Sequence, residues 1–149
     1  MRMQASRFLY PSTWTFTLLL AALWFGAGPS FAADSRRVVF IIGENEYHTW
    51  ETLPEFARKE LEPRGLTCAF VCSSSKEGDT VFTNYTAIKD ADLLFISVRR
   101  RTPPKEMMAL IRQHLQAGKP LAGIRTACHA FAATPPDQAH EAWEHFDSE

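Results

Sequence analysis

Residues 38–43, VVFIIG, form an unbroken apolar run that closes on glycine. A strand with one wet face alternates apolar and polar residues. A run without alternation must bury both faces, which restricts it to the interior of a largely parallel sheet. Residues 66–72 (LTCAFVC), 92–98 (DLLFISV) and 119–124 (KPLAGI) read as the second, third and fourth strands. After the first run, Thr52-Leu53-Pro54-Glu55 reads as a helix start, with Thr52 as N-cap and Pro54 in the first turn. Leu53, Phe56, Ala57 and Leu61 recur at helical spacing until Pro63-Arg64-Gly65 stops the helix. Residues 73–83 read as a polar loop and 84–91 as one short helical turn. Thr102 and Pro103 open a second helix, with Met107, Ile111 and Leu115 along one face and Gly118 at its end; residues 125–129 turn into a third. Strands alternating with helices imply right-handed crossovers and an α/β, doubly wound, mostly parallel sheet.

The N-terminus reads as a targeting segment rather than as part of that domain. Arg2 and Arg7 supply a positive start, an apolar stretch runs over 14–28, and Ser30 and Ala32 satisfy the small-residue cleavage rule. The expected products are a signal peptide, 1–32, and an exported, periplasmic or secreted domain, 33–149. The apolar run is shorter than the roughly 20 residues that a membrane span requires, so no membrane association is expected after cleavage. Export permits disulfides, yet Cys68 and Cys72 lie four apart in one strand, about 13 Å from each other, beyond the roughly 7 Å that a bridge tolerates. Either could reach Cys128, but three is an odd count, and the favoured reading is buried free thiols acting as small hydrophobes. A formal net charge of −1 and the lack of a long basic run give no footprint for nucleic acid.

In open parallel sheets ligands bind beyond the carboxyl ends of the strands, and that rule collects the polar residues of this chain. Glu44, Asn45, Glu46, Tyr47, His48 and Trp50 follow the first strand, Arg99, Arg100 and Arg101 the third, and Arg125, Thr126, Cys128 and His129 the fourth. One or two of the three consecutive arginines can point into such a crevice, and Arg125, at the sharp strand-to-helix turn, is the leading pocket residue. Its guanidinium suits a carboxylate, a phosphate or sugar hydroxyls. Glu44 and Glu46 read equally well as solvated loop acids. Cys128 and His129 are adjacent, hence about 100° apart on a helix and poorly placed to share a proton. No ligand-spacing motif supports a metal site from His48, His129 and the two glutamates, and none is assigned. The chain lacks G-x-G-x-x-G, a P-loop and G-x-S-x-G, which argues against dinucleotides, nucleoside triphosphates and ordinary α/β-hydrolase chemistry; no cofactor is assigned.

Two long segments, VVFIIGENEYHTWETLPEFA and ISVRRRTPPKEMMALIRQHLQAGKPLAGIRTACHAFA, resemble the ThuA-like (trehalose-utilisation) family, in particular its exported members. The resemblance spans 38–149 and implies a flavodoxin-like fold of the class I glutamine amidotransferase type. It also implies that Arg125 stands where those amidotransferases carry their cysteine nucleophile, with Cys128 three residues late, so glutaminase chemistry is not expected. The family continues past a segment like Trp143-Glu144-His145-Phe146-Asp147, so the chain reads as a domain cut short at its C-terminus, with an uncovered edge prone to self-association.

The function expected from these residues is binding or processing of a small, carbohydrate-derived ligand. Tyr47 or Trp50 would stack on a sugar. Arg125 and one of Arg99–Arg101 would hold its oxygens, with Glu44, Thr126 and His129 beside them. Glu46 or His48 would serve as acid or base. The alternative is a non-catalytic binding or interaction module, or an inactive fragment.

Overall fold

The computed structural model describes residues 35–73 and 80–143; the leader read at 1–32 and the last residues, 144–149, lie outside them. β1 (Arg37–Gly43), β2 (Thr67–Ser73), β3 (Phe82–Thr83), β4 (Leu93–Val98) and β5 (Leu121–Gly123) form one sheet in the order β3-β2-β1-β4-β5. Four strands are parallel, and β3 runs antiparallel on the edge of β2.

The unalternating apolar runs are explained by cover on both faces. Val39 and Ile41 of β1, Val71 of β2 and Leu94, Ile96 and Val98 of β4 pack on one face against Met107, Met108 and Ile111 of α2 (Lys105–Gln116) and against Ile88. Val38, Phe40 and Ile42 point the other way, toward Leu53 of α1 (Thr49–Phe56) and Ala57. In-register pairing sets Phe40 opposite both Phe70 and Phe95, and the rings meet at centroid distances of 5.3 and 5.2 Å. Each such fully buried side chain contributes about 1.5–3 kcal/mol of transfer free energy, so β1 is the strand on which both half-cores depend. Among the described residues no helix is long and apolar enough to cross a membrane.

Both helix starts differ from the sequence expectation, for identifiable reasons. α1 begins at Thr49, three residues before Thr52, because the Thr49 amide is taken up by the Glu44 carboxylate and the Glu51 and Thr52 amides by the His48 carbonyl, with no cap from the His48 side chain. Thr52 instead donates its hydroxyl back to the His48 carbonyl at 3.3 Å, and Pro54 falls inside the helix. α2 begins at Lys105. Thr102 and Pro103 each precede a proline, which drives a residue out of the helical region. The Arg101 and Lys105 amides are held instead by the Ala130 and Ala139 carbonyls. Thr102 is buried, and its hydroxyl finds no hydrogen-bond partner among the described residues.

Smaller differences follow from length. β3 lies in what reads as a polar loop; two residues are too few for a periodic signal, and it is the burial of Phe82 that places it. The segment after β5 is a single 3₁₀ stretch, Arg125–His129, and not a full third helix. Residues that read as an unpatterned tail are tied down as far as Trp143. Pro104 bridges His140, Phe131 bridges Trp143, and Arg112 holds Glu141 through contacts of 3.1 and 2.5 Å. On α2, Leu115 is exposed and His114 is buried. Leu115 lies in the last turn, where it lines an open cavity of about 350 Å³ with Arg112, Gln116 and Trp143.

The two leucines give a direct check of this packing. Leu94→Ala should cost about 2–5 kcal/mol, whereas Leu115→Ala should stay within about 0.5 kcal/mol. Urea unfolding of both variants measures the difference; equal costs would contradict the assignment of the buried face.

Candidate functional site

The chain leaves β1 in one direction to form β2 and crosses back to form β4, so the connections diverge between β1 and β4. Loops that diverge leave a crevice at the carboxyl ends of the strands. The loops after β1, β4 and β5 meet there.

The loop after β1 is organised by Glu44, whose side chain is 2% exposed. One carboxylate oxygen accepts the amides of Glu46 and Tyr47, each at 2.7 Å. The other accepts the Thr49 amide at 2.9 Å and the Thr49 hydroxyl at 2.6 Å. Four donors occupy the roughly four lone-pair sites of a carboxylate. With its proton committed to Glu44, the Thr49 hydroxyl must accept from Ser97 of β4 at 2.9 Å. Burial pushes the Glu44 carboxyl up; the Thr49 hydroxyl and the Thr49, Tyr47 and Glu46 amides outweigh it and hold the group below the ordinary glutamate value. Glu44, expected among the ligand-binding residues, therefore lies beneath the edge as the internal anchor of the loop. Ser97 and Thr49, which sequence reasoning passed over, complete this network. The signal for Ser97 was its polarity inside the apolar run of β4.

The residues that Glu44 positions reach across to the other two loops. Glu46 forms an ion pair with Arg99 at 2.5 Å. Tyr47 carries the Arg125 guanidinium over its ring at 4.4 Å from the centroid. His48 is exposed and lies 4.8 Å, ring to ring, from Trp50, itself 39% exposed. The Arg99 amide bonds to Gly43 and the Arg100 amide to His129, which pins the loop after β4 to both neighbours. Thr126 turns its hydroxyl down to the Val98 carbonyl at 3.2 Å, and so serves the backbone.

Arg101 departs from its two neighbours. Its side chain is 1% exposed, with one guanidinium nitrogen on the Arg99 carbonyl at 2.8 Å. It packs under the end of β1, where a side chain on Gly43 would come within 3.4 Å of Arg101 and 3.3 Å of Ser73. The three cysteines are free and half-buried; burial raises the Cys68 and Cys72 thiols, with Glu62 adding to the effect on Cys68.

Backbone strain concentrates at this edge. The described non-glycine residues with positive φ are His48 (54°), Asn84 (58°), Arg100 (48°) and Arg125 (56°). All but Asn84 lie in the three converging loops. A left-handed non-glycine residue costs on the order of 1–3 kcal/mol and persists only where its surroundings over-determine it. Among the described residues, no three His, Cys, Asp or Glu side chains gather as a metal site. No protein-family model, curated protein or solved structure matches the chain.

The Glu44 network carries a pH signature. Its carboxyl protonates less readily in the folded chain than in the unfolded one. Its contribution is therefore complete above the unfolded value, about 4.3, and is lost as pH falls through the lower folded value. Glu44→Gln, which turns an NH₂ group toward amide donors, should cost about 1–3 kcal/mol at pH 7, with the gap to wild type narrowing below about pH 4. Thermal unfolding across pH 3–7 checks this; a gap independent of pH would refute the assignment.

Proposed function

We propose that this chain is an exported protein of the ThuA-like type, with a flavodoxin-like, class I amidotransferase-like domain that binds a small carbohydrate-derived ligand at the carboxyl edge of its sheet. The observation that carries this reading is the convergence of three loops, far apart in sequence, through Glu46–Arg99 and Tyr47–Arg125. The resemblance of 38–149 to that family supports it.

In this reading Trp50 offers a partly exposed aromatic face for a sugar ring, and Arg125 with Arg99 or Arg100 holds its oxygens. Glu44 is saturated and Glu46 is engaged by Arg99, so His48 is the residue that carries proton transfer. Cys128 takes no part, because Arg125 stands at the turn where a nucleophile would be displayed. The engagement of both carboxylates also favours a second reading, a binding module without turnover. His48→Gln separates the two: it removes turnover and spares binding if His48 is the acid or base.

Titration of trehalose and its simpler glucosides into the full chain, followed by NMR, tests the site. Saturable shifts are expected at Tyr47, Trp50, Arg99 and Arg125. Trp50→Ala should weaken binding at least about tenfold, or ~1.4 kcal/mol, and Cys128→Ser should leave it unchanged. Shifts confined to other parts of the sheet would refute the reading.

A further inference from the structure

Arg125 sits on a backbone of unusual shape. The Ile124 amide bonds to Ile96, so β5 stays paired to its last residue, and the Ala127 amide closes onto the Ile124 carbonyl at 3.2 Å, directly under Arg125. The turn is so tight that a Cβ on Gly123 would lie 2.6 Å from the Ala127 Cβ. Arg125 has φ 56°, with glycine two residues before it and alanine two residues after. A strained left-handed apex between small residues, on a sharp turn out of a parallel strand, is the geometry by which hydrolases lift a nucleophile above the sheet edge.

Here the lifted group is a guanidinium. A guanidinium is a planar fork of N–H donors with no acceptor, and it can neither attack nor take up a proton. The strained turn therefore displays a fixed positive charge. Tyr47 supports that charge from one side at 4.4 Å, and no described residue accepts a hydrogen bond from its N–H groups. Among the described residues the acids of the adjoining loop do not neutralise it, since Glu44 is filled by the donors of its own loop and Glu46 is held by Arg99. The loops after β4 and β5 bring Arg99 and Arg125 to the same edge, and Arg99 is the one that engages Glu46.

We propose that Arg125, displayed at the apex of a nucleophile-type elbow, is an oxyanion-holding residue, and that the ligand of this edge carries a carboxylate or phosphate group. This rests on the sugar-binding reading and narrows it to sugar acids and sugar phosphates. A planar fork of N–H donors matches either oxyanion in bidentate fashion, more strongly than it matches neutral hydroxyls.

The test is calorimetry and NMR on the full chain with four probes: trehalose, gluconate, glucose 6-phosphate and inorganic phosphate. Gluconate or glucose 6-phosphate should bind at least about tenfold tighter than trehalose, with an affinity that falls as salt rises. Which of the two binds tighter tells carboxylate from phosphate. Arg125→Asn, a residue that tolerates the left-handed region, should abolish the preference. Arg125→Gly should abolish it too while keeping or raising the melting temperature, because glycine relieves the strain at φ 56°. Trehalose binding as tightly as the charged sugars would overturn the oxyanion assignment and leave the sugar site standing. Inorganic phosphate shifting Arg125 and Tyr47, with no sugar binding more tightly than phosphate itself, would uphold the oxyanion assignment and overturn the sugar reading. Silence at Arg125 with all four probes would overturn both.

Discussion

A carboxylate taken out of water is tolerated only where donors meet its lone pairs, and the loop after β1 is folded around that requirement. Glu44 draws in the amides of Glu46, Tyr47 and Thr49, and each bond fixes the direction of the chain at one residue. The consequences run outward. Thr49 is set to begin α1 and to reach Ser97 on the neighbouring strand, Glu46 is aimed at Arg99, and Tyr47 is laid beneath Arg125. Remove the charge and the three loops lose the element that holds them in one arrangement.

The sheet sets where that loop can be. Burial of β1 on both faces makes it the central strand. Its neighbours β2 and β4 lie on opposite sides, so the connections part at its carboxyl end. The apolar packing is indifferent to chemistry, yet it delivers Glu44 and Arg99 to adjacent strand ends, with Arg125 one strand further. The strain at His48, Arg100 and Arg125 is spent at the same edge, where the paired strands and half-cores below hold the backbone in shapes it would not adopt alone. Apolar packing thus runs along β1 and β4, and the charged groups gather where those strands end.

Much of the fold was legible because it rests on side-chain identity. The unalternating run of β1 announced two buried faces, and the glycines at Gly65 and Gly118, both at positive φ, ended the segments before them as expected. What escaped notice rests on backbone groups or on context. The anchoring role of Glu44 is invisible in sequence because its partners are mostly amides, which every residue has. Thr52 and Thr102 had the look of caps, but a carboxylate five residues before Thr49 supplied one helix and successive prolines delayed the other. Arg101 was indistinguishable from Arg99 and Arg100 until the turn after β4 directed it inward. The place of Arg125 after the last strand is plain in sequence, but its left-handed φ, and a turn so tight that a Cβ on Gly123 would lie 2.6 Å from the Ala127 Cβ, emerge only from the folded chain.

The dependence of the whole edge on one ionised carboxylate is open to direct measurement by an NMR titration from pH 7 to 3. If Glu44 holds the loops together, the Glu46, Tyr47 and Thr49 amides will shift with one shared midpoint, below the ordinary glutamate value of about 4.3. The Tyr47 ring and the Arg125 side chain will follow that same midpoint. Three amides titrating independently, or an Arg125 signal unmoved while they titrate, would contradict the account.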